Sequence, residues 1–327
     1  MKSSGWRGPI IRLAVSAASI LFIVFMLRDK LDDALLILRR DVDWRLFAVA
    51  GVIYFVGLVI ITLRLQYVFR VQHVCMPFRE TFYLGFVGLF FNLFLPSAVG
   101  GDVAKAYFAY KRTGKKIECM TSVVLDRLIG FVAMTMMAVT ALWFFNKEVG
   151  DVHITHLVYL FIGIVFLVVL FFGSKRFASR FKFLLRLIPS EKLKDKLSDV
   201  YHALYGYKKH KGILILSIVL SLVGQSVFVF VYYWTALSLG IQLNLWLFFI
   251  IVPMISFVSM APSVGGLGVR EAGAIYLFSR FMISERAIAL SLLIDLMIYG
   301  YSLFSGVLFS LKGGLKAKTI HEMEELE

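Results

Sequence analysis

The chain has 327 residues, 60% of them hydrophobic and only 17% charged, with 31 Phe, 14 Tyr and 5 Trp and a formal net charge of +14. The charged share is about two-thirds of the quarter usual for soluble domains, and a soluble core cannot absorb that much apolar side chain. The composition excludes a soluble globular enzyme and defines an all-α polytopic membrane protein, whose basic residues report topology and anionic lipid contact before any nucleic-acid partner.

In chain order, residues 10–27 are apolar apart from Arg12, and no small-residue cleavage site precedes Arg28 and Asp29, so an uncleaved first helix is expected. Further stretches at 46–63, 120–145, 154–172, 212–237 and 286–311 approach or exceed the roughly 20 residues that cross a 30 Å hydrocarbon layer. Six spanning helices follow. Two other apolar stretches, 81–95 and 244–260, are short, and each stops at a Pro-Ser pair followed by glycines. They read as half-helices.

Lys and Arg placement orients the spans, because cytoplasmic loops carry the excess of both. Lys2, Arg7 and Arg12 put the N-terminus inside; so does the stretch 173–211, with eleven Lys/Arg against three acids, for its own side. Arg64, Arg70 and Arg79, the cluster Lys111, Arg112, Lys115 and Lys116, and the C-terminal Lys312, Lys316 and Lys318 fall on the same side. Only 28–45 disagrees, its five Lys/Arg being balanced by five Asp. The pattern closes if 81–112 and 244–281 each enter and leave on one face, as re-entrant helical hairpins. Residues 1–315 then form a single transmembrane domain in the cell (inner) membrane, 316–327 a cytoplasmic tail, and both termini are cytoplasmic. Within the basic linker 173–211, Leu193, Leu197, Val200, Leu204 and Tyr207 at helical spacing describe an amphipathic helix, interfacial or simply solvated.

The sequence repeats itself. Pro96, Ser97, Ala98, Val99, Gly100 and Gly101 recur as Pro262, Ser263, Val264, Gly265 and Gly266, which sets Lys105 opposite Arg270; further on, SVVLDRLI with Asp126 recurs as SLLIDLMI with Asp295. Two repeats, about 46–145 and 212–311, are separated by an odd number of spans and so have inverted topology, as in transporters built around a midplane site. Broken backbone cannot face lipid, so the two turns should meet around protein or water near the centre. Helices restarting near Gly101 and Gly268 would offer unpaired N–H groups to a phosphate, with Lys105 and Arg270 adding full charges.

Ionisable side chains within spans are functional candidates, since each costs about 2.5–3.5 kcal/mol or more at mid-membrane. Asp102, Lys105, Asp126, Arg127, Arg270, Glu271 and Asp295 qualify. Asp102 and Lys105 are spaced for a local pair. Asp126, Arg127, Arg270, Glu271 and Asp295 either serve the site or form neutralising pairs that hold helices together; Asp295, with no cation close in sequence, leans to the first, as a lone acid able to titrate.

The runs LPSAVGGDVAKAY, SVVLDRLIGF and APSVGGLGVREAG together resemble the transmembrane domain of the lysylphosphatidylglycerol synthase and flippase family, also called the multiple peptide resistance factor family, over residues 10–312. The resemblance implies a lipid-translocating domain in which Asp102, Lys105, Asp126, Arg127, Arg270 and Glu271 serve. Bifunctional members add a soluble aminoacyl-transferase domain after the membrane part; here about fifteen residues follow the last span, so a standalone member that does not itself synthesise lysyl-lipid is expected.

Other signals are weaker. Asp41-Val42-Asp43 matches a metal-holding D-x-D pattern without an α/β domain around it; His153 and His156 lack the glutamate of a zinc helix; Gly114-Lys115 lacks the upstream glycine of a phosphate loop. No metal, cofactor or ATP site is implied. Aromatic runs such as Phe90-Phe91, Phe144-Phe145 and Tyr232-Tyr233-Trp234 read as lipid-facing or interfacial anchors. The expected function is therefore movement of an anionic amphiphile between leaflets. The alternatives are a membrane-embedded transferase with Asp126 or Asp295 as base, or a scaffold for a separate lipid-synthesising enzyme; small-residue pairs leave a homodimer open.

Overall fold

A computed structural model describes residues 32–94, 100–149, 156, 159–160, 162–164, 166–167, 207, 210–261, 263 and 266–311. The expected span at 10–27, most of that at 154–172, the linker 173–211 except Tyr207, His210 and Lys211, His153, the tail 316–327, and the turn residues Pro96, Ser97, Pro262 and Gly265 lie outside the described residues.

Among the described residues the fold is helical. Four helices, α1 (Trp44–Val71), α2 (Phe78–Phe94), α3 (Gly100–Thr113) and α4 (Lys116–Val149), precede the linker, and four more, α5 (Lys211–Ser238), α6 (Leu245–Val258), α7 (Val269–Phe278) and α8 (Ser284–Leu311), follow it. The order long, short, short, long occurs twice. Of the described helices, α1, α4, α5 and α8 are long and apolar enough to cross a membrane. They carry large exposed apolar side chains such as Val52, Trp143, Ile215 and Val307.

Local chemistry sets the helix ends. Asp43 accepts from the backbone N–H of Arg45 at 2.9 Å and of Leu46 at 3.4 Å, capping α1, so the D-x-D pattern is a helix start with Asp43 exposed. Asn244 caps α6 in the same way through the Trp246 N–H at 3.1 Å. At the other ends, α1 and α5 stop through one motif: the Val74 N–H returns to the Phe69 carbonyl and the Ile241 N–H to the Ala236 carbonyl, both at 3.0 Å, around left-handed His73 (φ 56°) and Gly240 (φ 66°).

Helices α1 and α5 run antiparallel. The Asp43 N–H donates to the Ser238 carbonyl at 2.8 Å, joining the start of α1 to the end of α5. At the opposite end, Tyr207, four residues before α5, packs on Val68 and Val71 of α1. Their crossing is built on two glycines: Gly57 lies against Phe228, and Gly224 against Ile61. Counted from the first residue of each helix, Gly57 matches Gly224 and Ile61 matches Phe228, so the contact is reciprocal about a two-fold axis.

The short helices cross between halves. Helix α2 packs on α8, while α6 packs on α4. Gly306 of α8 leaves the slot filled by the Phe90 ring, and Phe90, Phe91, Phe108 and Phe309 stack together. This corrects the lipid-facing reading of Phe90-Phe91: Phe91 is 4% exposed, because α8 covers the face that the sequence alone leaves open. Tyr232, Tyr233 and Trp234 are likewise half-buried against the main core, whereas Phe144 faces outward.

Candidate functional site

Helix α3 restarts beside the helix it has just left. The Asn92 side-chain oxygen of α2 accepts from the Gly101 N–H at 2.8 Å, occupying one free donor of the new helix. Gly88 and Gly101 make this approach feasible, since a methyl group at Gly101 would overlap the Gly88 carbonyl and Asn92, and one at Gly88 would overlap the Lys105 stem. Gly88 and Gly101 are thus close-approach glycines in helical backbone, and Gly100 is the buried first residue of α3. In the second hairpin the requirement is conformational: Gly266 and Gly268 adopt φ of 83° and 81°, a region that Gly occupies at little cost. Ser263 donates locally to the Ala261 carbonyl at 3.1 Å.

Three charge groupings follow from this placement. In the first, the Asp102 carboxylate bridges two cations: Oδ1 receives Lys105 Nζ at 3.1 Å and Oδ2 receives Arg127 Nη1 at 2.6 Å. In the second, Asp126 is gripped in parallel by Arg64, Nε to Oδ1 at 2.6 Å and Nη2 to Oδ2 at 2.7 Å, and Arg64 Nη1 also donates to Ser221 Oγ of α5 at 2.7 Å. In the third, Arg270 Nη2 donates to Asp295 at 2.6 Å, to Glu271 at 3.0 Å and to the Tyr299 hydroxyl at 3.1 Å. Arg270 Nε and Glu271 Oε2 are buried without a partner among the described residues.

Of the two readings open for Asp295 the neutralising pair is the one seen, its partner Arg270 lying one helix away, 25 positions earlier, where spacing along the chain cannot reveal it. One sequence expectation changes. Arg64, assigned to a cytoplasmic loop, instead lies within α1, which continues to Val71, and is 6% exposed. It is the charged residue that sequence reading missed. The available signal was the apolar run Leu65, Val68, Phe69 and Val71 beyond it, which keeps a helical period past the basic residue.

The hairpin ends share a cavity of about 350 Å³. Arg64, Lys105, Arg127 and Arg270 line it with Asp102 and Asp126, Glu271 and Asp295 balance the remaining charge through Arg270, and Asn92, Gln225, Ser256, Ser259 and Tyr299 add hydrogen-bonding groups. Gly266 reaches the same wall. Glu271 and Asp295 stand behind Arg270 and do not line it. Outside the chamber, Glu80 of α2 pairs with Arg112 of α3, Nε to Oε2 at 2.6 Å, and Lys115 Nζ holds the His73 carbonyl at 2.7 Å, which gives Lys115 a structural role.

Apolar helices of crossing length around a charged, partly open cavity define a multi-pass membrane protein with a polar interior site. The match to the lysylphosphatidylglycerol synthase transmembrane region covers residues 10–306, and the chain belongs to that family. No curated protein and no solved structure matches it.

Proposed function

We propose that the protein moves an anionic amphiphile, a phospholipid, aminoacyl-phospholipid or polyprenyl-phosphate lipid, between leaflets, its head passing through the central cavity while its tails stay in the bilayer. The observation that carries this reading is that four cationic side chains, Arg64, Lys105, Arg127 and Arg270, line one cavity of roughly 350 Å³ between the two hairpin ends. Carrying a phosphate across bare hydrocarbon costs many kcal/mol, and fixed cations and hydroxyls replacing its water lower that barrier.

Six spans with α2–α3 and α6–α7 as re-entrant hairpins of inverted repeats fit this function, because a two-fold site faces either side by equivalent motions. Support comes from antiparallel α1 and α5, the reciprocal glycine contacts of their crossing and their identical helix stops. The protein is then a transporter of the cell membrane with cytoplasmic termini, its basic linker facing anionic lipid on the same side.

The test is reconstitution of the full chain into liposomes with fluorescently labelled anionic lipids and membrane-impermeant quenching. Faster exposure of the inner-leaflet label than in protein-free vesicles is expected. No acceleration across phosphatidic acid, phosphatidylglycerol and a polyprenyl phosphate would remove the transport reading. Product formation from a nucleotide-sugar or acyl donor would replace it with a transferase.

A further inference from the structure

The three charge groupings differ in how readily they release a cation. Arg64 is locked by a parallel two-bond grip and a serine, and Arg270 by two carboxylates, with side-chain exposures of 7% and 13%. Lys105, Asp102 and Arg127 are more open, at 19%, 21% and 24%. Each Asp102 oxygen occupies a separate cation, in the way two oxygens of a phosphate would. Asp102 also lines three cavities. Beyond the central chamber, Asp102 and Arg127 border a space of about 280 Å³ with Val124, Phe131 and Met260, and Asp102 borders another of about 80 Å³ between α3 and α4. Apart from Asp102, Arg127 and a Lys116 at its edge, the walls of this α3–α4 groove are apolar or aromatic.

Resting on the transport reading, we propose that this grouping is a lipid-binding site in which a substrate phosphate displaces the Asp102 carboxylate from Lys105 and Arg127 while one acyl chain lies in the α3–α4 groove. Asp102 acts as a resident stand-in for the ligand's anion. It keeps two half-buried cations neutralised when the site is empty, where unpaired charges would be costly, and it competes with the ligand when the site fills. An acyl chain is the occupant that the groove fits, because its two spaces share Asp102, Val123 and Val124, border the cation pair, are otherwise almost wholly apolar or aromatic, and lie beside Val124, which is 42% exposed on the surface read as lipid-facing.

The test is native mass spectrometry of the full chain in detergent, with dioleoyl phosphatidic acid as probe and inorganic phosphate as competitor. Lys105→Gln and Arg127→Gln should each weaken retention at least about tenfold, the loss of one charge-assisted contact. Asp102→Asn should strengthen it by a similar factor, since the competitor is gone. Val124→Trp, at a position 42% exposed, should weaken retention by filling the groove without lowering the thermal unfolding midpoint, and inorganic phosphate should displace the lipid only in large excess. Asp102→Asn weakening retention as Lys105→Gln does, Val124→Trp leaving it unchanged, or inorganic phosphate competing at equal concentration would each overturn the proposal. Lipid bound with the expected variant pattern but not moved in vesicles would remove transport and keep the site; lipid moved at the wild-type rate by Val124→Trp would remove the site and keep transport.

Discussion

Arg64 and Asp126 meet edge to edge across the contact between α1 and α4, joined by two parallel hydrogen bonds of 2.6 and 2.7 Å. The third arm of the guanidinium reaches Ser221 on α5, so one buried cation ties together the first helix of each half and the helix that follows the first hairpin. Gly130, one turn beyond Asp126, leaves the space that the guanidinium fills. The pair therefore fixes the frame on which the more open Lys105–Asp102–Arg127 bridge is carried.

Breaking this pair from one side leaves an uncompensated charge in a low-dielectric setting, at a cost of about 3–5 kcal/mol. Arg64→Met and Asp126→Asn are each expected to lower the thermal unfolding midpoint in detergent markedly. The double variant Arg64→Met with Asp126→Leu should recover most of the loss, because no charge is stranded. A double variant as unstable as the singles would mean that Ser221 and the cavity, not Asp126, are what Arg64 serves.

How far the sequence reached into this site depends on how local each partner is. The Asp102–Lys105 pair follows from i,i+3 spacing, and the helix restarts near Gly100 and Gly268 follow from Pro, Ser and Gly punctuation. The recurrence of SVVLDRLI placed Asp126 and Asp295 in equivalent helices. What spacing cannot carry is a partner on another helix: Arg64 lies 62 positions from Asp126, and an apolar window ending at Ile61-Thr62-Leu63 gave the arginine to a loop. The inward turn of Phe90 and Phe91 was hidden for the same reason, since it is Gly306 on α8 that makes room for the ring.

The matched stops of α1 and α5 give opposite substitution effects. His73 holds a left-handed backbone at φ 56° with a full side chain, where Gly240 has none. A left-handed conformation costs a residue with a Cβ roughly 1–2 kcal/mol. His73→Gly is thus expected to raise the unfolding midpoint or leave it unchanged, and Gly240→Ala to lower it. Equal destabilisation by both would show that the His73 side chain contributes more than its backbone strain costs.

Glycines in the first hairpin should separate by what surrounds them rather than by helix propensity. Ala is favoured over Gly by about 1 kcal/mol inside an open helix, and Gly51 and Gly300 face nothing within 4 Å. Gly51→Ala and Gly300→Ala should be tolerated with full lipid movement. Gly101→Ala pushes α3 away from Gly88 and Asn92, so it should slow lipid movement at least about tenfold, a displacement of the order of 1 Å at a binding group being sufficient for such losses. Unimpaired movement in Gly101→Ala would separate the hairpin's closeness from its function.

The Arg270 grouping holds one cation against two carboxylates, and the carboxylates are unequal. Asp295 receives Arg270 at 2.6 Å, whereas Glu271 receives it at 3.0 Å and leaves its second oxygen buried without a partner among the described residues. An unsatisfied buried acceptor costs about 1–3 kcal/mol or more when charged. Glu271→Gln keeps an oxygen for Arg270, removes the surplus negative charge and should leave stability equal or improved. Asp295→Asn gives up the shorter charge-assisted bond and should cost about 1–3 kcal/mol, while Arg270→Gln strands both acids and should cost more than either. Thermal unfolding of the three variants gives the order, and Arg270 lining the chamber adds a second readout: lipid movement should fall in Arg270→Gln and persist in Glu271→Gln. Were Glu271→Gln to stop movement while folding normally, the surplus carboxylate would have to act in the transport step itself.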